Sequence, residues 1–506
     1  MKLSFQSVRR LSVGALSASL LLVPAASAAA NDDIPKHPDE LEFAPLEFEV
    51  PDASELRREL ANGTSAYIAE DPILPLFSVT ARVRIGSFLE PADKVGLASM
   101  VGRLMRSGGA GEMDAPAFDE RAAFLAADLS ASIGETMGTA RLNCLSSQKE
   151  ECLDLFFTMM RSPRFQQERL ATQKENQLEQ LRQRNDEPQS LAGREWQWLL
   201  YGREHFSSRL VTGASLAAIQ REDLVEFHRR YWNPNRMVWS VSGDVDSDEI
   251  VADLNRRLAE WSQEDFAEVS WPPPAPRFQP KPGVYVVEKD IPQGRVRIGR
   301  LTSQRTDWMV KDELAATLMN DILGAGGFTA RLVKRIRSDE GLAYSAGSSF
   351  SFGEHWAGEF SAGYQSKSET VAYAAALAYE ELRRMANEQV SDDELATAKG
   401  SLRDSFPGNF DSSASTAALF ALDEMVGRPH AYWETYQERI DGITKADIQA
   451  VARKYLDPEE MVFLIVGNWE EIEPGDADGR ASMDQFFGGV ASLLPERDPV
   501  TLEVVP

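Results

Sequence analysis

Histidine is scarce in this chain. Of 506 residues only five are histidine (His37, His205, His228, His355 and His430), and no two lie within one helical turn of each other. That excludes a helix gripping a metal through two histidines at helical spacing, because such a site needs two imidazoles on one helical face. Basic side chains are the second shortage: 53 Lys and Arg stand against 79 Asp and Glu, a formal net charge of −26. This balance argues against a nucleic-acid partner, since neutralising phosphates requires a basic face. Cysteine is nearly absent, with Cys144 and Cys152 alone. The two could bridge or remain partly buried thiols, and in neither case does a chain this long depend on the link for its fold. No apolar run in the chain is long enough to cross a bilayer. What is present, 43% hydrophobic and 26% charged residues, is the composition of a globular protein. The length predicts at least two domains, each with a sizeable core.

The first residues read as an address. Lys2, Arg9 and Arg10 open the chain, residues 11–25 are apolar, and Ala26-Ser27-Ala28 offers the small residues a signal peptidase accepts. The apolar stretch falls short of the ~20 residues of a membrane span and contains Pro24. Residues 1–28 are therefore expected to be a cleaved signal peptide, followed by a polar lead-in at 31–39. The expected destination is a bacterial periplasm or another exported compartment, with the protein soluble there.

The chain also repeats itself. Residues 219–244 align without a gap on residues 443–468, at an offset of 224. Ile219/Ile443, Asp223/Asp447, Arg229/Arg453, Tyr231/Tyr455, Pro234/Pro458, Met237/Met461, Val238/Val462 and Gly243/Gly467 are identical. Each copy reads as a helix with an Asp in its first turn, a Pro-containing turn, and a buried strand ending at Gly. A second echo links 100–109 with 318–327, both helical patterns running into glycines. Between the copies lie prolines at 272, 273, 274, 276, 280 and 282, a composition that favours extended polyproline geometry.

Within each half, strands alternate with long helices. Residues 78–86 alternate with period two, 97–106 carry an apolar helical stripe, and 151–160 and 166–184 read as helices. The second half predicts strands at 283–288 and 296–301, a helix over 308–323, a Gly-rich turn, a helix through Arg337, and strands from Tyr344. The expected fold class is α+β: two homologous halves, each a repeated α/β roll-like domain, joined by a Pro-rich linker. The expected division is 40–270, a linker at 271–283, 284–474, and a tail at 475–506 whose apolar stretch 486–494 could form a short helix docking on either half.

The segments that follow one another along residues 46–471 carry a family resemblance. They include Asn62-Gly63, Arg84-Ile85-Gly86-Ser87, Gly96-Leu97-Ala98, Ser162-Pro163-Arg164-Phe165, residues 231–245, Leu323-Gly324 with Arg331-Leu332, and Gly341-Leu342-Ala343-Tyr344. In this order and spacing the chain resembles the inverzincins, the pitrilysin, insulinase and mitochondrial-processing-peptidase group. The resemblance implies a zinc site, and here the sequence departs. Catalytic members carry H-x-x-E-H after the Gly-Leu-Ala segment: the histidines bind zinc and the glutamate polarises water. Those positions fall on Ser99, Gly102 and Arg103, and a third ligand falls on Gln180, or on Glu179 if the alignment slips by one. A guanidinium is a permanent cation that repels Zn²⁺, and glycine removes the base. The resemblance thus implies that this chain binds no metal and lacks zinc catalysis of its own.

It also implies that an Arg and a Tyr spaced R-x-x-x-x-x-x-Y serve the substrate. Here they are Arg337 and Tyr344, able to hydrogen-bond a peptide backbone and a developing oxyanion. The expected function is a non-catalytic partner subunit of an exported zinc metallopeptidase, supplying half of a peptide chamber, with zinc in a catalytic inverzincin partner. The partner could make a heterodimer, or the chain could pair with itself. The alternative is a degenerate peptidase acting only as a peptide- or protein-binding scaffold. By charge, a strongly negative chamber wall would favour cationic peptides. A serine hydrolase is disfavoured: Ser345 in Ala343-Tyr344-Ser345-Ala346-Gly347 would need a strand before it and a helix after it, and the pattern runs the other way. Ser146-Ser147-Gln148-Lys149 has no supporting motif, and Gly324, Gly326 and Gly327 shape a turn rather than a phosphate cradle.

Overall fold

The computed structural model describes residue 37 and residues 48–261 and 266–506. The expected signal peptide at 1–28 lies outside the described residues, as does most of the lead-in. The described residues contain twelve strands: β1 (Arg57–Glu59), β2 (Ser65–Glu70), β3 (Leu76–Val83), β4 (Asp128–Ile133), β5 (Gly138–Leu145), β6 (Met237–Gly243), β7 (Gly283–Glu288), β8 (Gln293–Leu301), β9 (Ala343–Phe350), β10 (Glu359–Lys367), β11 (Val462–Gly467) and β12 (Ala491–Leu493). They form two six-stranded sheets, ordered β1-β2-β6-β3-β5-β4 and β12-β7-β11-β8-β10-β9. The fold is mixed α+β.

The inner strands of the two sheets correspond one to one. β2 runs parallel to β6 as β7 does to β11, and the neighbours along β6-β3-β5-β4 and β11-β8-β10-β9 are all antiparallel. The aligned segments occupy equivalent places. Helices Arg221–Tyr231 and Lys445–Tyr455 are both started by an aspartate that accepts the N-cap backbone N–H at 2.7 Å, Asp223 from Gln220 and Asp447 from Thr444. Each aspartate also pairs with a lysine at 2.6 Å, Lys94 in one half and Lys311 in the other. The strands that follow, β6 and β11, are buried along almost their whole length, which is why they read as unbroken apolar runs rather than alternating ones.

What buries them is an exchange between halves. One face of each sheet packs on helices of its own half, including Leu97–Ser107 and Lys149–Arg161 in the first and Lys311–Asn320 and Val371–Asn387 in the second. The opposite face of the first sheet, at Tyr67, Ala69 and Val238, packs on Ala417, Phe420 and Met425 of helix Ser413–Val426. The opposite face of the second, at Val462, Leu464 and Val466, packs on Leu191, Trp196 and Leu200 of helix Pro188–Tyr201. Polar contacts reinforce both crossings. The Tyr67 hydroxyl and Arg57 reach Glu424 at 2.8 and 3.2 Å, and Trp196 Nε1 donates to Glu359 at 3.0 Å.

Several details differ from the sequence expectation. β1 and β2 were not anticipated. The helix expected over 308–323 is α-helical only over Lys311–Asn320 and widens into a looser turn at Asp321–Ala325, and the segment through Arg337 is a second wide turn, Val333–Asp339. The apolar tail is not a helix. After two short turns it forms β12, which pairs parallel with β7. It then reaches the first half, where the carbonyls of Arg497 and Val500 accept from Asn185 Nδ2 at 2.7 Å and Gly213 N at 3.0 Å. The tail therefore touches both halves. Residues 271–282 carry neither helix nor strand; the Trp271 ring lies 4.6 Å from His355, and His205 Nε2 lies 2.7 Å from the Pro274 carbonyl. Cys144 and Cys152 are free, buried thiols. Among the described residues no helix is long and apolar enough to cross a membrane.

Candidate functional site

The helix Leu97–Ser107 owes its position to an apolar stripe and a buried acid. Leu97, Met100, Val101, Leu104 and Met105 are all buried. At its start the Glu90 carboxylate accepts the N–H groups of Gly96 at 3.1 Å and Ala98 at 2.6 Å, filling donors that a helix end leaves free. Burial raises the Glu90 pKa while those two N–H groups hold it down. On this helix Ser99 is half-buried, Gly102 buried and Arg103 exposed. A Cβ at Gly102 would sit 2.6 Å from the backbone N of Ile133 and 2.8 Å from backbone atoms of Ser132, so β4 lies directly on the helix backbone. The helix Gln167–Arg182 packs alongside, with Gln180 and Glu179 both facing solvent. Glu179 is occupied by Arg182 at 2.8 Å and Gln183 at 3.2 Å, which hold its carboxyl below its ordinary range.

These residues do not fit a zinc ion. One hydroxyl, a backbone with no room for a side chain, a cation and a neutral amide offer no imidazole, and the one carboxylate nearby, Glu179, is taken up by Arg182 and Gln183. Among the described residues no group of three or more His, Cys, Asp or Glu is placed to hold a metal.

In the second half Arg337 and Tyr344 come together. The guanidinium carbon of Arg337 lies 5.0 Å from the Tyr344 ring centre and 4.7 Å from that of Phe328. Both rings are open to solvent, Tyr344 at 86% exposure and Phe328 at 70%. No ion pair among the described residues involves Arg337, so its donors stay free. The wide turn Val333–Asp339 presents it, and the turn is tied to β9 by Leu342 N donating to the Ile336 carbonyl at 2.9 Å. Just upstream, Arg331 grips Glu394 through two bonds of 2.7 and 2.9 Å. That grip and the capping serine Ser391 hold the Glu394 carboxyl down at about 2. Phe328 escaped the sequence reading, although an exposed aromatic directly after Gly326-Gly327 was a usable signal. Ser345 lies inside β9, not at a strand-to-helix elbow, and Ser146 Oγ bonds Asp244 at 2.9 Å.

The two sets of residues thus belong to different halves, and among the described residues no hydrogen bond or ion pair joins them. The architecture is two six-stranded sheets of matching inner order, with a tightly packed helix at Gly102 in one half and an open Arg/Tyr pair in the other. The model "Insulinase (Peptidase family M16)" matches residues 69–207, and "Peptidase M16 inactive domain" matches residues 218–402. The chain belongs to the insulinase-type M16 family and lacks its H-x-x-E-H motif. An uncharacterized zinc protease of Mycobacterium tuberculosis is 27% identical over 281 residues, 55% of this chain and 63% of that protein. The non-peptidase homolog YmxG of Helicobacter pylori is 25% identical over 405 residues, 79% of this chain and 90% of that protein. Among solved structures, a peptidase M16 inactive domain from Pseudomonas fluorescens superposes with a TM-score of 0.71 at 23% identity, covering 81% of this chain and 97% of that one. The periplasmic protease PqqL of Escherichia coli gives 0.70 at 16% identity, covering 81% and 45%.

Proposed function

We propose that this chain is the non-catalytic partner subunit of an exported zinc metallopeptidase of the insulinase type. In this reading the metal and the water-activating glutamate belong to a catalytic family member bound to it. This chain supplies half of the peptide chamber and the Arg337/Tyr344 pair that holds substrate. The observation that carries the reading is the asymmetry between the halves: β4 lies on the backbone at Gly102, whereas Arg337 stands free between two exposed rings. A guanidinium without a carboxylate partner, beside a phenol, can donate to a peptide carbonyl and to the oxygen that gains charge during cleavage. The repeated topology supports an origin by duplication, with residues 40–270 and 284–474 as the two domains and 271–283 as their linker. The signal peptide expected at 1–28 is the basis for export, with the periplasm as the proposed destination.

The test is peptide cleavage by this chain reconstituted with a catalytic M16 protein from the same organism. Arg337→Ala should lower kcat/KM by about 100-fold, and Tyr344→Phe by less. Unchanged cleavage in both variants contradicts the substrate role and leaves the alternative, a peptide- or protein-binding scaffold, which the likeness to a non-peptidase homolog favours.

A further inference from the structure

β8 alternates with period two: Val296 and Ile298 enter the core, so Arg295 and Arg297 project from the other face of the sheet. Helix Pro188–Tyr201 covers that face over β11 and part of β8. Towards the edge strand β9 the face stays open as a cleft of about 370 Å³, lined by Arg295, Arg297, Ser345, Ser349 and Gln365, with glycines 347 and 363 on its floor. No Asp or Glu lines it. In a chain with a formal net charge of −26, this is the reverse of the negative wall expected from composition.

Neither arginine forms an ion pair among the described residues, although the Glu359 carboxylate is close enough to Arg297 to feel its charge. Arg295 donates to the neutral Gln365 amide at 3.2 Å, and Arg297 lies 5.6 Å from the Trp196 ring centre. The neighbouring carboxylate, Glu359, is engaged by Trp196 Nε1 at 3.0 Å, and burial raises its pKa. Two guanidiniums on one strand face repel each other unless an anion sits between them. Their planar forks match a carboxylate, which serine hydroxyls and the Gln365 amide can also bind. Ser345 adjoins Tyr344, so an extended ligand held at Tyr344 can continue into the cleft.

We propose that this cleft binds a carboxylate: an acidic side chain, or the C-terminal carboxylate, of an extended peptide. The inference deepens the peptide-holding role proposed above by naming the ligand chemistry. Its readout is binding to the chain alone, so it can fail while the cleavage test succeeds, and the reverse.

Three dye-labelled peptides, measured by fluorescence anisotropy with the full chain, decide it. One carries internal Glu-Glu with an amidated C-terminus, one Gln-Gln with an amidated C-terminus, and one Gln-Gln with a free carboxylate. The Glu-Glu peptide, the free-acid peptide or both should bind about tenfold tighter than the amidated Gln-Gln peptide, and the preference should shrink as salt rises. Which of the two gains identifies the source of the carboxylate. Arg295→Gln with Arg297→Gln should abolish the preference, while Arg337→Ala should weaken all three peptides and keep it. Ser345→Glu, at an exposed position on the cleft, should abolish it too, and it decides the matter if the double variant fails to fold. Equal binding of the three peptides, no binding of any, or a preference that survives the substitutions overturns the proposal.

Discussion

The two halves share inner strand order, strand direction and even the lysine–aspartate pair at the start of equivalent helices, yet they differ where each would meet a peptide. In the first, an edge strand lies on a glycine of the helix that would carry a zinc site. In the second, the corresponding edge strand carries Tyr344 beside an unpaired arginine. The scaffold is common and the chemistry is not. The lesson is physical: burial shapes both cores alike, while beside the edge strands one half packs Gly102 tightly under β4 and the other leaves Tyr344 open to solvent next to Arg337. The exchanged helices tie the halves together, since each completes the other's core.

The largest expected effect tests that exchange. Trp196→Ala and Phe420→Ala remove side chains that are almost wholly buried against the other half's sheet. Each should cost about 3–5 kcal/mol, read from urea midpoints, and both halves should unfold together. If only one half loosens, the covering is not reciprocal. A somewhat smaller effect should come from His228, whose counterpart in the aligned segment is Ala452. Its ring is buried against Phe165 and Trp232 and its Nε2 meets the Met160 carbonyl at 2.8 Å; burial lowers its pKa from 6.5 to about 4. Between those values the unfolded chain binds a proton that the folded one refuses. Stability should therefore fall as pH drops from 6.5 to 4, by about 3 kcal/mol from this residue. In His228→Phe that part of the pH slope should disappear, and an unchanged slope would assign it elsewhere. Smaller again is Gly102→Ala, expected to cost about 1–3 kcal/mol because β4 must shift. Gly193→Ala is the contrast: nothing lies within 4 Å of a new Cβ there, so it should stabilise its helix by about 0.5–1 kcal/mol. Equal behaviour of the two variants in thermal unfolding would show that β4 does not press on the helix.

Much of this was legible in the sequence, for identifiable reasons. β6, β7 and β11 are runs of apolar and β-branched residues, and the aligned segments carry the same helix-start aspartate, so burial and capping both leave marks. The family resemblance singled out Arg337 and Tyr344, and the fold sets the two side by side. Other features needed coordinates. β1 and β12 have three residues each, too few for periodicity to register. Leu191, Trp196 and Leu200 read as part of a local core, and only the fold reveals that their partners belong to the other half. The contact of β4 on Gly102 joins residues with no shared pattern. The arginine pair of β8 was readable, since Arg295-Val296-Arg297-Ile298 alternates charge with apolar residues. A net charge of −26 gives no hint of such a local basic pair.

The measurement closest to the central claim is the metal content of the full chain after incubation with zinc and exhaustive dialysis, read by elemental analysis. Ser99, Gly102, Arg103 and Gln180 should retain far less than one equivalent, and the chain alone should leave unstructured peptides intact. One zinc per chain that survives dialysis and leaves with a chelator would contradict the account.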